Sequence, residues 1–172
     1  MSEEKRTFSR VPVRLKGYAR YMQSIESPQL FTSDSVEDVC NRETLFRNSK
    51  LPDDLTAFLG EMDRKLDRIL GLLSKDYIRS DFPVDIEILE LSAAGVKFRT
   101  KDQVEKNCPL EVIVMLSQLP LRMASSKGRI VGKEEDTGLY RFEFVDTRES
   151  DMEAIVQFVF QQQREQIRNS KK

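Results

Sequence analysis

The chain has 172 residues, the size of one ordinary domain or of one domain with an insertion. Hydrophobic residues make up 39% and charged residues 33%, enough apolar material for a core beneath a polar surface. A formal net charge of −1 offers no global basic field for nucleic acid, and the absence of histidine removes the usual general base and the commonest zinc ligand.

Cys40 and Cys108 are far apart and make no metal-spaced cluster, so they read as reduced thiols of a cytoplasmic protein. No apolar run approaches the roughly 18 residues of a membrane span, and the N-terminus is charged rather than signal-like. The carboxylates form no catalytic pair and nothing supplies an activated nucleophile. The expectation is therefore a protein with no metal, no cofactor, no membrane span and no enzymatic activity.

In chain order, the polar start leads through Arg6 and Arg10 into a first strand over Val11–Met22. Val11, Val13, Leu15, Gly17, Ala19 and Tyr21 fall on one side; Arg14, Lys16, Tyr18 and Arg20 fall on the other. Pro12 suits a strand beginning or edge. Ser24–Ser33 reads as a loop, and Val36–Phe46 as a short helix. Pro52 and the acidic Asp53-Asp54 pair suit a helix N-terminus, and the spacing predicts a long helix over Asp53–Tyr77.

Along that helix Leu55, Leu59, Met62, Leu66, Ile69 and Leu73 recur at heptad spacing. At about 1.5 Å per residue the segment spans roughly 38 Å, longer than one face of a small barrel needs. Either its seam packs on its own barrel or preceding helix, or it pairs with copies of itself. The second reading explains more, because Phe58, Leu70 and Leu72 widen the apolar surface. Leucine at positions a with isoleucine at one d leans toward four strands, so a homo-tetramer is expected ahead of a dimer.

Asp81-Phe82-Pro83 returns the chain to strands. Val84, Ile86 and Ile88 alternate with charge, and Val96–Arg99 alternates again, so Glu90–Gly95 reads as a turn or bulge between two strand segments. Gly95 offers a position that tolerates positive φ or close approach of a ligand to the backbone. Leu110–Leu116 reads as a strand buried on both faces, Met123–Glu134 as another, Asp136-Thr137-Gly138 as a hairpin turn and Leu139–Val145 as the last strand. Ser150 with Glu153 reads as the capping box of a final helix, whose apolar face carries Met152, Ile155, Val156, Val159 and Ile167.

Two motifs in this order, Arg6-x-x-x-Arg10 before a strand and Glu90-x-Ser92-x-x-Gly95 at a strand turn, resemble those of the PilZ domain family. Tyr-x-Phe-x-Phe after a glycine-ended turn is similar to the last strand of those domains. The resemblance covers roughly residues 5–22 and 80–168. It implies a mainly β fold with α: a six-stranded antiparallel β-barrel with a C-terminal helix. Residues 1–22 and 80–172 would form the barrel, and 23–79 an inserted helical, coiled-coil-like oligomerisation module.

The resemblance also implies a bacterial cyclic di-GMP receptor. Arg6 and Arg10 would grip guanine edges and phosphates, since a guanidinium fork matches both and also stacks on purines. Ser92 would hydrogen-bond the ligand, Glu90 would accept guanine N–H groups, and Gly95 would keep the surface clear. Glu90 departs from the Asp or Asn usual there; one extra methylene in a snug site costs about 1–3 kcal/mol. The alternative is a degenerate PilZ protein that does not bind the nucleotide and serves as an oligomeric scaffold for an unidentified protein partner.

Overall fold

The computed structural model describes residues 8–31, 50–118 and 121–171. Arg6 and the expected helix over 36–46 lie outside the described residues. The elements are β1 (Arg10–Tyr21), α1 (Asp53–Asp81), β2 (Val84–Ser92), β3 (Gly95–Arg99), β4 (Pro109–Gln118), β5 (Leu121–Lys133), β6 (Tyr140–Val145) and α2 (Glu149–Ser170). The strands close into an antiparallel barrel in the order β1-β2-β3-β6-β5-β4. This is the six-stranded barrel with a C-terminal helix that the motifs implied.

Alternation along the strands sends one set of side chains inward. Val11, Ile88, Leu91, Phe98, Val112 and Phe142 are almost fully buried there. Each such side chain contributes roughly 1.5–3 kcal/mol by leaving water. Ala154, Ile155 and Val159 of α2 join the same core, so α2 packs onto the barrel interior. Phe160 and Ile167, on its outer and distal parts, stay exposed.

The start of α2 corrects the expected capping box. The N-cap residue is Arg148, with no side-chain cap, and Met152 N–H bonds the Arg148 carbonyl. Ser150 lies inside the first turn. The phase is set by Asp151, whose buried carboxylate accepts the Ser125 backbone N–H at 3.1 Å. Glu149 and Asp151 place negative charge in the first turn, which the helix dipole favours without a hydroxyl cap.

β4 is buried on both faces, as its apolar run predicts. Its outer side packs Ile113 and Met115 against Tyr18, Ile78 and Phe82, with Phe31 partly buried beside them. Ile78 and Phe82 belong to the foot of α1, which therefore docks on the barrel wall. The polar member of this face is Glu111, with no exposed surface. It accepts Arg20 Nε at 2.6 Å and the backbone N–H groups of Leu30 and Phe31 at 3.0 and 2.9 Å. Arg148 Nη1 in turn donates to the Phe31 carbonyl at 3.2 Å. A buried carboxylate thus clasps the loop that leaves β1 onto the barrel.

α1 begins after Pro52, as expected, and continues to Asp81, a turn beyond Tyr77. At 1.5 Å per residue its 29 residues span about 43 Å. Pro83 stops it, because the residue before a proline is driven out of the helical region.

Candidate functional site

β1–β2 pairing brings the two distant motifs together. Arg10 lies opposite Ser92, and Pro12 opposite Glu90. Glu90 is also opposite Lys97 of β3, and Gly95 opposite Glu143 of β6. Arg10, Glu90, Ser92 and Gly95 therefore share one corner of the barrel wall.

The orientation of Glu90 depends on an irregularity that alternation does not reveal. With Val84, Ile86 and Ile88 inward, strict period two would turn Glu90 inward and Leu91 outward. Instead Ile88 pairs with Phe98 and Glu90 with the next residue, Lys97, so Leu89 is an extra residue on β2. Such a bulge flips the phase of everything after it. Leu91 is fully buried, while the Glu90 side chain is 30% exposed.

The expected six-residue turn is correspondingly shorter. Glu90, Leu91 and Ser92 belong to β2 and Gly95 to β3, leaving Ala93-Ala94 as the turn. Ser92 Oγ donates to the Gly95 carbonyl at 3.3 Å and accepts the Ala94 N–H at 3.2 Å. The hydroxyl, in a residue that is 5% exposed, closes the turn. Gly95 is not in the left-handed region. Its lack of a side chain serves close approach of protein backbone: a Cβ there would collide with the Phe142 carbonyl oxygen.

The charges at this corner form a chain. Glu90 Oε1 stands 3.7 Å from Arg10 Nη1 and 3.7 Å from Lys97 Nζ. Lys97 Nζ is held more tightly, 2.7 Å from Glu134 Oε1. Glu134 also accepts the Thr137 hydroxyl at 2.9 Å. The Lys97 hydrogen bond, then that of Thr137, holds the Glu134 carboxyl below its ordinary range. The Arg10 side chain is 48% exposed, so its loose ion pair leaves most of its donors open to an anion.

Sequence reading missed Lys97, Glu134 and Arg141, the last lying opposite Lys97 on β6. Lys97 was legible as one of the two outward residues of Val96–Arg99. Glu134 was not, because the approach of the β5–β6 hairpin to β3 is a tertiary fact.

The heptad positions gather on no part of the barrel. Leu55, Leu59, Met62, Leu66, Ile69 and Leu73 are all exposed, from 37% at Leu59 to 54% at Leu66 and Leu73. Phe58, Leu72 and Tyr77 are more exposed still. From Asp53 onward the first buried residue among those described is Ile78. Packing of the seam on its own barrel is thus not what the chain does. No helix among the described residues is long and apolar enough to cross a membrane.

Comparison with known proteins agrees with this architecture. A solved structure from Xanthomonas campestris, described as a new tetrameric PilZ domain self-assembled via an unusual helical bundle, matches with a TM-score of 0.53. The match covers 94% of this chain and 90% of that one at 18% identity, a likeness of fold. No curated protein matches the chain. The family model for the PilZ domain matches residues 73–161, from the second half of α1 through β6 into α2. The chain belongs to the PilZ domain family.

Proposed function

We propose that this protein is a cytoplasmic cyclic di-GMP receptor that acts as an adaptor rather than an enzyme. The observation that carries this reading is the pairing of Arg10 with Ser92, which sets the arginine beside Glu90 and Gly95. Arg10, joined by Arg6, would take guanine edges and phosphates; Glu90 would accept guanine N–H groups. Ser92 and Gly95 hold the turn on which the ligand lies. Burial, then the nearby Glu105 charge, pushes the Cys108 thiol up, away from nucleophilic use. The output is a change in what the barrel presents to a downstream protein.

In the same reading residues 1–22 and 80–172 are the receptor barrel, and 23–79 an inserted module that assembles a homo-oligomer, tetramer ahead of dimer. The exposed heptad face of α1 supports this. So does the tetrameric helical bundle described for the Xanthomonas campestris relative.

A second reading, a scaffold that has lost the nucleotide, draws on one observation. Glu90 already lies against both Arg10 and Lys97, and Ser92 spends its hydroxyl on the turn. Calorimetric titration with cyclic di-GMP separates the two. Low-micromolar binding that disappears in Arg10→Ala supports the receptor. No heat up to about millimolar ligand removes it and leaves the scaffold.

A further inference from the structure

A trench of about 1120 Å³ crosses the outer wall of β1 and β2 beneath the end of α1. Part of its lining is apolar, from Tyr18 and Met115 of the outer face. Its charged lining is basic in excess: Arg14, Lys16, Arg79, Arg99 and Lys101 against Asp85, Glu87 and Asp102, on a chain of net charge −1. It lies on the far side of the Leu89 bulge from the Arg10–Ser92 corner.

One carboxylate organises the basic side. Arg14 Nε donates to Glu87 Oε1 at 2.8 Å, and Arg99 Nε to Glu87 Oε2 at 2.6 Å. Each guanidinium is gripped by its inner nitrogen, so each keeps four terminal N–H donors. Those donors have no recorded partner among the described residues, and the two side chains are 80% and 56% exposed. The hydrogen bonds of Arg99 and then Arg14 hold the Glu87 carboxyl below its ordinary range, so the grip persists at neutral pH. Lys16 and Lys101 make no ion pair among the described residues. Two guanidinium groups fixed on one carboxylate, with free outer edges and two nearby ammonium groups, present the donor set that phosphate oxygens take.

We propose that this trench is a second ligand site, for a phosphate-bearing small molecule gripped by the outer edges of Arg14 and Arg99. Lys16 and Lys101 supply further charge, and Glu87 is the positioning residue. Arg79, in the last turn of α1, lines the same trench. There it stands 3.7 Å from Asp85 Oδ2 of β2.

The test is calorimetry on the full chain at low salt, with tripolyphosphate and with ATP as probes. Sub-millimolar binding of tripolyphosphate is expected, weakened about tenfold or more in Arg14→Gln and in Arg99→Gln. Tighter binding of ATP assigns a nucleotide; equal binding assigns the phosphates alone. Glu87→Gln is the decisive variant. It removes a negative charge, yet weakens binding if Glu87 orients the arginines. Arg168→Gln, which removes a positive charge at the end of α2, leaves affinity unchanged. Thermal melts confirm that each variant is folded. Tighter binding in Glu87→Gln, equal losses in Arg168→Gln and Arg14→Gln, or no tripolyphosphate binding would each overturn the proposal.

Discussion

Glu111 gives the sharpest test of how this fold is held together. Replacing it by alanine strips the acceptor from Arg20 Nε, at 2.6 Å, and from two backbone N–H groups, of Leu30 and Phe31. Removing one partner of a buried ion pair costs about 3–5 kcal/mol. Here the lower end applies, because the Arg20 side chain keeps 22% exposure and can rehydrate. Leu30 is itself 55% exposed, so the loop can turn its N–H groups to water and loses about 1 kcal/mol per bond at most. The expected loss is about 3–5 kcal/mol.

For a chain of this length that is a fall in Tm of roughly 7–14 °C. Arg20→Ala leaves the fully buried carboxylate without its cation and should cost at least as much. Arg20→Leu combined with Glu111→Leu removes both charges and should recover at least half of the loss. The assay is circular-dichroism melting at one fixed protein concentration, since self-association shifts Tm. A change below about 2 °C in Glu111→Ala, or an Arg20→Ala variant clearly milder than it, would refute the clasp.

The remaining predictions concern the helix and the surface carboxylates. Leu59→Asp with Leu66→Asp should bring the sedimenting mass to the 20.0 kDa of one chain, because each leucine is worth about 2 kcal/mol when buried between copies. Neither leucine packs on the barrel, so the variant should still unfold cooperatively, with Tm lowered only by the lost association; an unchanged sedimentation profile would remove α1 as the assembly element. Glu87 and Glu134 are held below their ordinary value of 4.5, by hydrogen bonds led by Arg99 and Lys97 respectively. A depressed folded value means that their contribution is present above the unfolded value and lost as pH falls through the folded one. Glu87→Gln and Glu134→Gln should therefore flatten the acid limb of the Tm profile below about pH 4.5; a slope equal to that of the parent would count against the pairing.

The barrel was readable in advance because its strands alternate, or in β4 run continuously apolar, and are separated by turn residues. β1, β4, β5 and β6 match the predicted segments to within a few residues. α1 was readable because its heptad pattern is long and its start carries Pro52 and two aspartates. The site was readable only as a pair of motifs. Its turn was misplaced because the Leu89 bulge sets the phase of Glu90, Leu91 and Ser92, and a bulge is specified by pairing with β3 rather than by local pattern. Ser150 was mistaken for a cap because the phase of α2 follows from Asp151 reaching the backbone of β5.

By itself, then, the sequence determined the periodicities: which stretches are strands, which is a long helix, and which residue types are available to meet an anion. Those properties are local, fixed by backbone geometry and side-chain alternation within a few residues. Tertiary structure alone decided which side chains share a surface. It set Arg10 against Ser92, Lys97 against Glu134, and Arg14 and Arg99 on opposite oxygens of Glu87. It also left the seam of α1 uncovered by the barrel. Register and burial between distant segments are collective outcomes of closing one particular barrel, and no window along the chain contains them.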